Sequence, residues 1–262
     1  MMWLTSQAVW LLVVGSLALA LLLAGASRVA VAAIVPAAEA DHVHAIAAPL
    51  MPALGATFAV LTALTLSSEA GYLRTAQDIV SREAAEASRL AWASTSPEVD
   101  SATIQEALAA YLRATRDNEW EGVHETEGTD VATAEALAAL ERVVRDEAAR
   151  PELGTPTSTE LLASVDAVTT GRRTRIAAAD RELPGLYVVT LVVSGVALIA
   201  NAGALVFRTS ARTSLLVAGL ACVVGLSLAL LFAIAAPWEG DLVASGDPID
   251  AVLRDLESGF FA

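Results

Sequence analysis

Four long apolar runs without one charged side chain govern what this chain can become. They are AVWLLVVGSLALALLLAGA (Ala8 to Ala26), AIAAPLMPALGATFAVLTALTL (Ala45 to Leu66), GLYVVTLVVSGVALIANAGALVF (Gly185 to Phe207) and SLLVAGLACVVGLSLALLFAIAA (Ser214 to Ala236). A helix needs roughly 20 apolar residues to cross a bilayer, so each run is long enough to span. Arg28 stops the first of them. The chain divides accordingly into a pair of spans within 1–66, a polar insert over 67–183, a second pair within 184–236 and an acidic tail over 237–262.

The first run reads as a retained anchor rather than a cleaved leader. The residues before it, MMWLTSQ, carry no Lys or Arg, whereas a leader has a basic start. Trp3 and Trp10 suit a membrane interface. Orientation follows from arginine placement. Arg28, Arg208 and Arg212 fall in the loops on one side; Arg74, Arg82, Arg89, Arg172, Arg173, Arg175, Arg181 and Arg254 fall on the other. The richer side is expected to be cytoplasmic, which places both termini and the insert there. All sixteen basic residues are arginine in an alanine-rich chain, which points to a GC-rich bacterial genome; with four helical spans, the expected location is a bacterial inner membrane.

The insert is expected to be helical throughout. Leu73, Ala76, Val80, Ala84, Ala87 and Leu90 form one stripe at helical spacing. No breaker separates that stripe from the second span, so the two are expected to form one long helix. SPEVD, from Ser96, reads as a stop and restart with a serine cap. A second helix carries Ile104, Leu108, Tyr111, Leu112 and Thr115 on one face, and a third Val131, Ala134, Leu137, Leu140 and Val144. Thr157 and Glu160 have capping-box spacing before a fourth stripe: Leu161, Val165, Val168, Ile176, Ala179 and Leu183. The expected fold is all-α, with four transmembrane helices and a cytoplasmic helical hairpin extending from the second and third.

Composition excludes several classes of function. A net charge of −14 argues against nucleic acid, whose phosphates need a basic face. The single cysteine, Cys222, lies inside an apolar run, so no disulfide framework or CxxC motif exists. Phosphate loops, nucleophile elbows and HExxH are all missing, and the chain does not read as an enzyme.

A few residues stand out. Asp41, His42 and His44 (DHVH) lie in a loop expected outside; two histidines at this spacing can ligate a divalent ion, but an ordinary solvated loop is preferred. Asn201 is the most polar side chain of any span and must be satisfied by a neighbouring helix, the preferred reading, or a wet pathway. Thr57, Thr62 and Thr65 repeat on one helical face; they are candidates for pore lining, and bonding to their own backbone is preferred. Trp120 ends YLRATRDNEW and is expected to anchor the hairpin by burying its indole, with Glu119 pairing Arg172 or Arg175.

The order of these elements is familiar. A span runs into SREAAEASRLAW, a helix closes on YLRATRDNEW, GRRTRIAAADRELPGLY enters a span through proline, and the last span leaves through PWEGD into DPIDAVLRDL. From about Gly55 to Leu256 this resembles the bacterial membrane proteins described as having a bestrophin-like domain. The resemblance implies kinship with bestrophins, which are pentameric anion channels. It therefore implies a homo-oligomer in a lipid bilayer, with a pore framed by the second span; an anion pore would need arginines near its mouths, and Arg74 and Arg28 are candidates by position alone. Where true bestrophins carry a hydrophobic neck, this span offers Pro49, Pro52 and Phe58. The resemblance also implies calcium at an acidic cluster after the fourth span; here Glu239, Asp241, Asp247, Asp250, Asp255 and Glu257 are spread out, and a solvated tail is preferred. The alternative to a channel is a non-conducting module whose acidic helices dock a cytoplasmic protein partner.

Overall fold

The computed structural model describes residues 9–119, 130–179, 185–235, 238 and 244–261, without the side chains at 37 and 211. Among them every regular element is helical. The helices are α1 (Val9–Ile34), α2 (Ala40–Ser94), α3 (Ser101–Glu119), α4 (Val131–Ala148), α5 (Thr155–Ala179), α6 (Gly185–Val206), α7 (Ala211–Ile234) and α8 (Asp247–Glu257), with a short 3-10 turn at Ala37–Glu39. Four of them, α1, α2, α6 and α7, are long and apolar enough to cross a membrane.

The chain forms two compact units, Met1–Tyr72 with Glu182–Val243, and Leu73–Arg181 with Ala244–Ala262. The tail from Ala244 onward thus belongs with the insert from Leu73 to Arg181. In the first unit α1 packs on α6 and α7, which pack on each other. Its core is apolar, including Ala20, Ala24, Phe58, Leu198, Ala202, Val224 and Leu231. Glycines let these helices approach: a Cβ on Gly225 would lie 2.9 Å from the Ser16 carbonyl oxygen, and one on Gly195 3.0 Å from Val224.

In the second unit the part of α2 beyond Leu73 buries Ala76, Val80, Ala84, Ala87 and Leu90, the stripe expected for it. Helix α3 buries Ile104, Leu108, Tyr111, Leu112 and Thr115 and packs on α4 and α8. Helix α8 buries Ile249, Val252 and Leu253. Beyond it the chain turns at Gly259, whose φ of 72° suits glycine, and sets Phe261 edge-on to Trp92 at 5.3 Å.

Several expectations require correction. Arg28 does not stop the first helix, because its guanidinium finds partners within the same unit and α1 continues to Ile34. The DHVH stretch is not a loop, since α2 already starts at Ala40. Pro49 and Pro52 lie within α2, as their place inside the second span requires. The restart after α2 is capped by Asp100, not Ser96: Asp100 accepts from the Thr103 amide at 3.3 Å and hydroxyl at 2.8 Å. Val131 is 69 % exposed, and Thr133 takes its place on the buried face of α4. Thr157 is no cap, because α5 has begun at Thr155. The stripe of α5 does not continue through Ala179, which is exposed; Arg172 and Arg175 occupy the buried positions instead.

Candidate functional site

The densest polar arrangement is a closed ionic knot inside the second unit. Glu83 of α2 is fully buried, and Arg175 of α5 donates to it through Nε at 2.6 Å and Nη2 at 3.3 Å. Arg175 also donates to Glu119 of α3 at 2.6 Å, and Arg172 donates to the other Glu119 oxygen at 3.2 Å and 2.5 Å. The Tyr111 hydroxyl completes the set, donating to Glu83 at 2.7 Å. Two arginines face two carboxylates, so the knot is neutral. Its geometry is what a buried charge group needs to offset desolvation. Burial works against the Arg175 charge, yet Glu83 and Glu119 together hold its proton more firmly than usual. Burial, with the Glu83 charge beside it, raises the Tyr111 hydroxyl far above its ordinary range.

Local sequence explains why the knot forms. Arg172 and Arg175 are three residues apart on one face of α5, and Tyr111 lies on the apolar face of α3. Gly171 admits α2: a Cβ there would sit 3.3 Å from the Glu83 Cα, Cβ and Cγ. Glu119 takes both arginines named for it. Trp120, expected to anchor the same end, lies outside the described residues. Sequence reasoning missed Glu83 and Tyr111 as members. The signal was an acid three residues past Val80, inside the apolar stripe of α2.

The span residues are placed as follows. Asn201 donates to the Ala47 carbonyl at 3.0 Å and approaches the Met51 sulfur at 3.5 Å, tying α6 to α2 beside the turn that Pro49 and Pro52 weaken. Thr57 is exposed and donates to the Ala53 carbonyl at 2.9 Å; Thr65 does the same to Leu61 at 2.8 Å. The Thr62 hydroxyl is buried without a hydrogen-bond partner among the described residues. Arg74 is exposed. Phe58 is only 5 % exposed, in the core beside Gly195, and so is no free pore-facing ring within this protomer.

Asp41, His42 and His44 do not form a three-ligand group. On α2 Asp41 and His44, three apart, share a face, whereas His42, two from His44, points to another side, and the His44 ring lies against Phe207 at 5.7 Å. Among the described residues no three potential ligands converge as a metal site would require. Within the tail, Glu257 accepts from Arg113 at 2.8 Å and Asp250 lies 4.0 Å from Arg116, while Glu239 and Asp241 lie outside the described residues. A shallow cleft of about 310 Å³ is lined by Asp100, Thr103, Ile104, Asp146, Glu147 and Arg150.

These features define an all-helical membrane protein with four candidate spans and a separate helical unit closed by a buried ionic knot. The model of the bestrophin-like domain matches residues 17–249, and the chain belongs to that family. In fold it is similar to the crystal structure of a bacterial bestrophin homologue from Klebsiella pneumoniae that carries a point mutation. The TM-score is 0.69 at 13% identity, over 95% of this chain and 99% of that one. No functionally curated protein matches the chain.

Proposed function

We propose that this chain is one subunit of an oligomeric ion channel, with the conducting path running between subunits along α2. What supports a channel is membership of the bestrophin-like family, and the apolar interior of the first unit bears on where a path would run. Ala24, Phe58, Leu198, Ala202, Val224 and Leu231 fill that interior, and two of the polar groups near it, Thr62 and Asn201, make no continuous polar track. An ion cannot cross such a core. Helix α2 meanwhile buries Ala47, Phe58 and Thr62 while exposing Ile46, Leu50, Thr57, Val60 and Leu64, so a second surface of a span is free to meet other copies. Anion selectivity is the reading that kinship with bestrophins favours.

The test is ion flux through the purified full-length protein in sealed liposomes, with chloride, nitrate, potassium and sodium compared and the particle mass recorded. Selective flux from a closed oligomer, altered by Thr57→Val, supports the proposal. No flux from a folded particle, with and without Ca²⁺, overturns it.

A second reading, a docking module, draws on one observation. Trp92 and Phe260 form an edge-to-face pair at 5.8 Å and are 53 % and 59 % exposed. Such aromatics suit a protein contact.

A further inference from the structure

Every ion pair among the described residues lies in the second unit, where Arg89, Arg113, Arg116, Arg145, Arg150, Arg172 and Arg175 all meet carboxylates. In the first unit Arg28, Arg208 and Arg212 meet none, although acids outnumber bases 30 to 16 in the chain. Glu39 and Asp41 belong to the same unit and pair with none of the three.

Arg208 and Arg212 lie at the turn between α6 and α7, and Arg28 of α1 reaches that turn. Arg28, half-buried on α1, donates through Nη1 to the Ser214 hydroxyl and through Nη2 to the Thr209 carbonyl at 3.1 Å, bridging the segment that carries Arg212. Arg208 donates to the Val35 carbonyl at 3.2 Å and lies over the Phe207 ring at 5.5 Å. The partners of Arg28 and Arg208 are neutral, and among the described residues none of the three arginines meets a carboxylate at ion-pair distance. Close packing holds them at the turn. A Cβ on Gly203 would clash with the Ser27 hydroxyl and lie 3.2 Å from the Arg28 amide nitrogen, so α6 lies directly against α1 at this point.

We propose that this cluster binds the phosphate of an anionic phospholipid. Guanidinium groups match phosphate oxygens in pairs, and basic pockets between membrane helices hold lipid headgroups. A lipid is favoured over a free anion because large apolar side chains border the cluster. Val29, Ile34, Leu215 and Leu216 are 68 %, 79 %, 72 % and 76 % exposed, an acyl-chain surface next to a cationic one. This site is independent of whether the protein conducts.

The test uses the full-length protein in detergent, incubated with phosphatidylglycerol, phosphatidylcholine or inorganic phosphate. Retained lipid is counted by native mass spectrometry. Arg28 also ties the turn together, so the variant is the exposed pair Arg208→Gln/Arg212→Gln, with Arg89→Gln of the second unit as control. Preferential retention of phosphatidylglycerol, falling on the order of tenfold in the double variant but not the control, is the expected result. Equal retention of the two lipids, or no loss in the double variant, overturns the site. Displacement of phosphatidylglycerol by millimolar inorganic phosphate overturns the lipid assignment in favour of a free anion.

Discussion

Arg175 and Glu83 stand 92 positions apart in the chain and make a two-pronged hydrogen-bonded ion pair away from water. Because Glu83 is wholly enclosed, removing its cation leaves an anion with Tyr111 as its remaining donor in the knot. Arg175→Ala is therefore expected to destabilise the folded protein by about 3–5 kcal/mol. Arg172→Ala leaves Glu119 still bonded to Arg175, and a smaller loss is expected. Thermal unfolding of the two detergent-solubilised variants checks the order; equal losses would mean that the knot does not act through Glu83.

Tyr111 predicts a change in alkaline stability. Its folded-state proton is held by burial first and then by the charge of Glu83, whereas in the unfolded chain it leaves near its ordinary value of about 10. Above that pH the folded state binds more protons than the unfolded one, so stability falls as pH rises. Tyr111→Phe should cost about 1.5–3 kcal/mol at neutral pH, through the lost bond to Glu83. Its stability should then decline less steeply than that of the unmodified protein above about pH 10. Parallel pH profiles would refute this.

The architecture was legible because spans, amphipathic stripes and their spacing are local properties. The continuity of α2 followed from the lack of a breaker, and the faces of α3 and of α2 beyond Leu73 from their periodicity. What failed depended on distant partners. Arg28 looked like a terminator because its acceptors, Thr209 and Ser214, lie some 180 residues away. The pairing of Glu119 with Arg172 and Arg175 was legible, but the part of Glu83 in it was not, because Glu83 comes from another helix 92 positions away from Arg175. Caps at Ser96 and Thr157 misled for a different reason: Asp100 and Thr155 were equally good starts, and local chemistry alone did not choose.

Thr62 separates a packing role from a pore role. Its hydroxyl is buried without a partner among the described residues, a cost of about 1–3 kcal/mol that an apolar side chain of the same shape avoids. Thr62→Val should be neutral or raise the melting temperature. If ion flux is present and also unchanged, Thr62 is a packing residue. A loss of flux with full stability would instead mean that its hydroxyl meets permeant water.

Gly203 offers the sharpest steric test. A methyl group there would clash with the Ser27 hydroxyl oxygen and lie 3.0 Å from its Cβ. Rotating the hydroxyl away, out of its 3.0 Å bond to the Ala24 carbonyl, relieves only the first contact. The Cβ and the Arg28 backbone remain, so α1 and α6 must separate. Gly203→Ala is expected to cost about 1–3 kcal/mol despite the better helix propensity of alanine. Ser27→Gly removes both side-chain contacts, so the double variant should recover part of that loss beyond the sum of the single effects. Melting temperatures of the four proteins close the cycle. Strict additivity would mean that the two helices do not touch at this point.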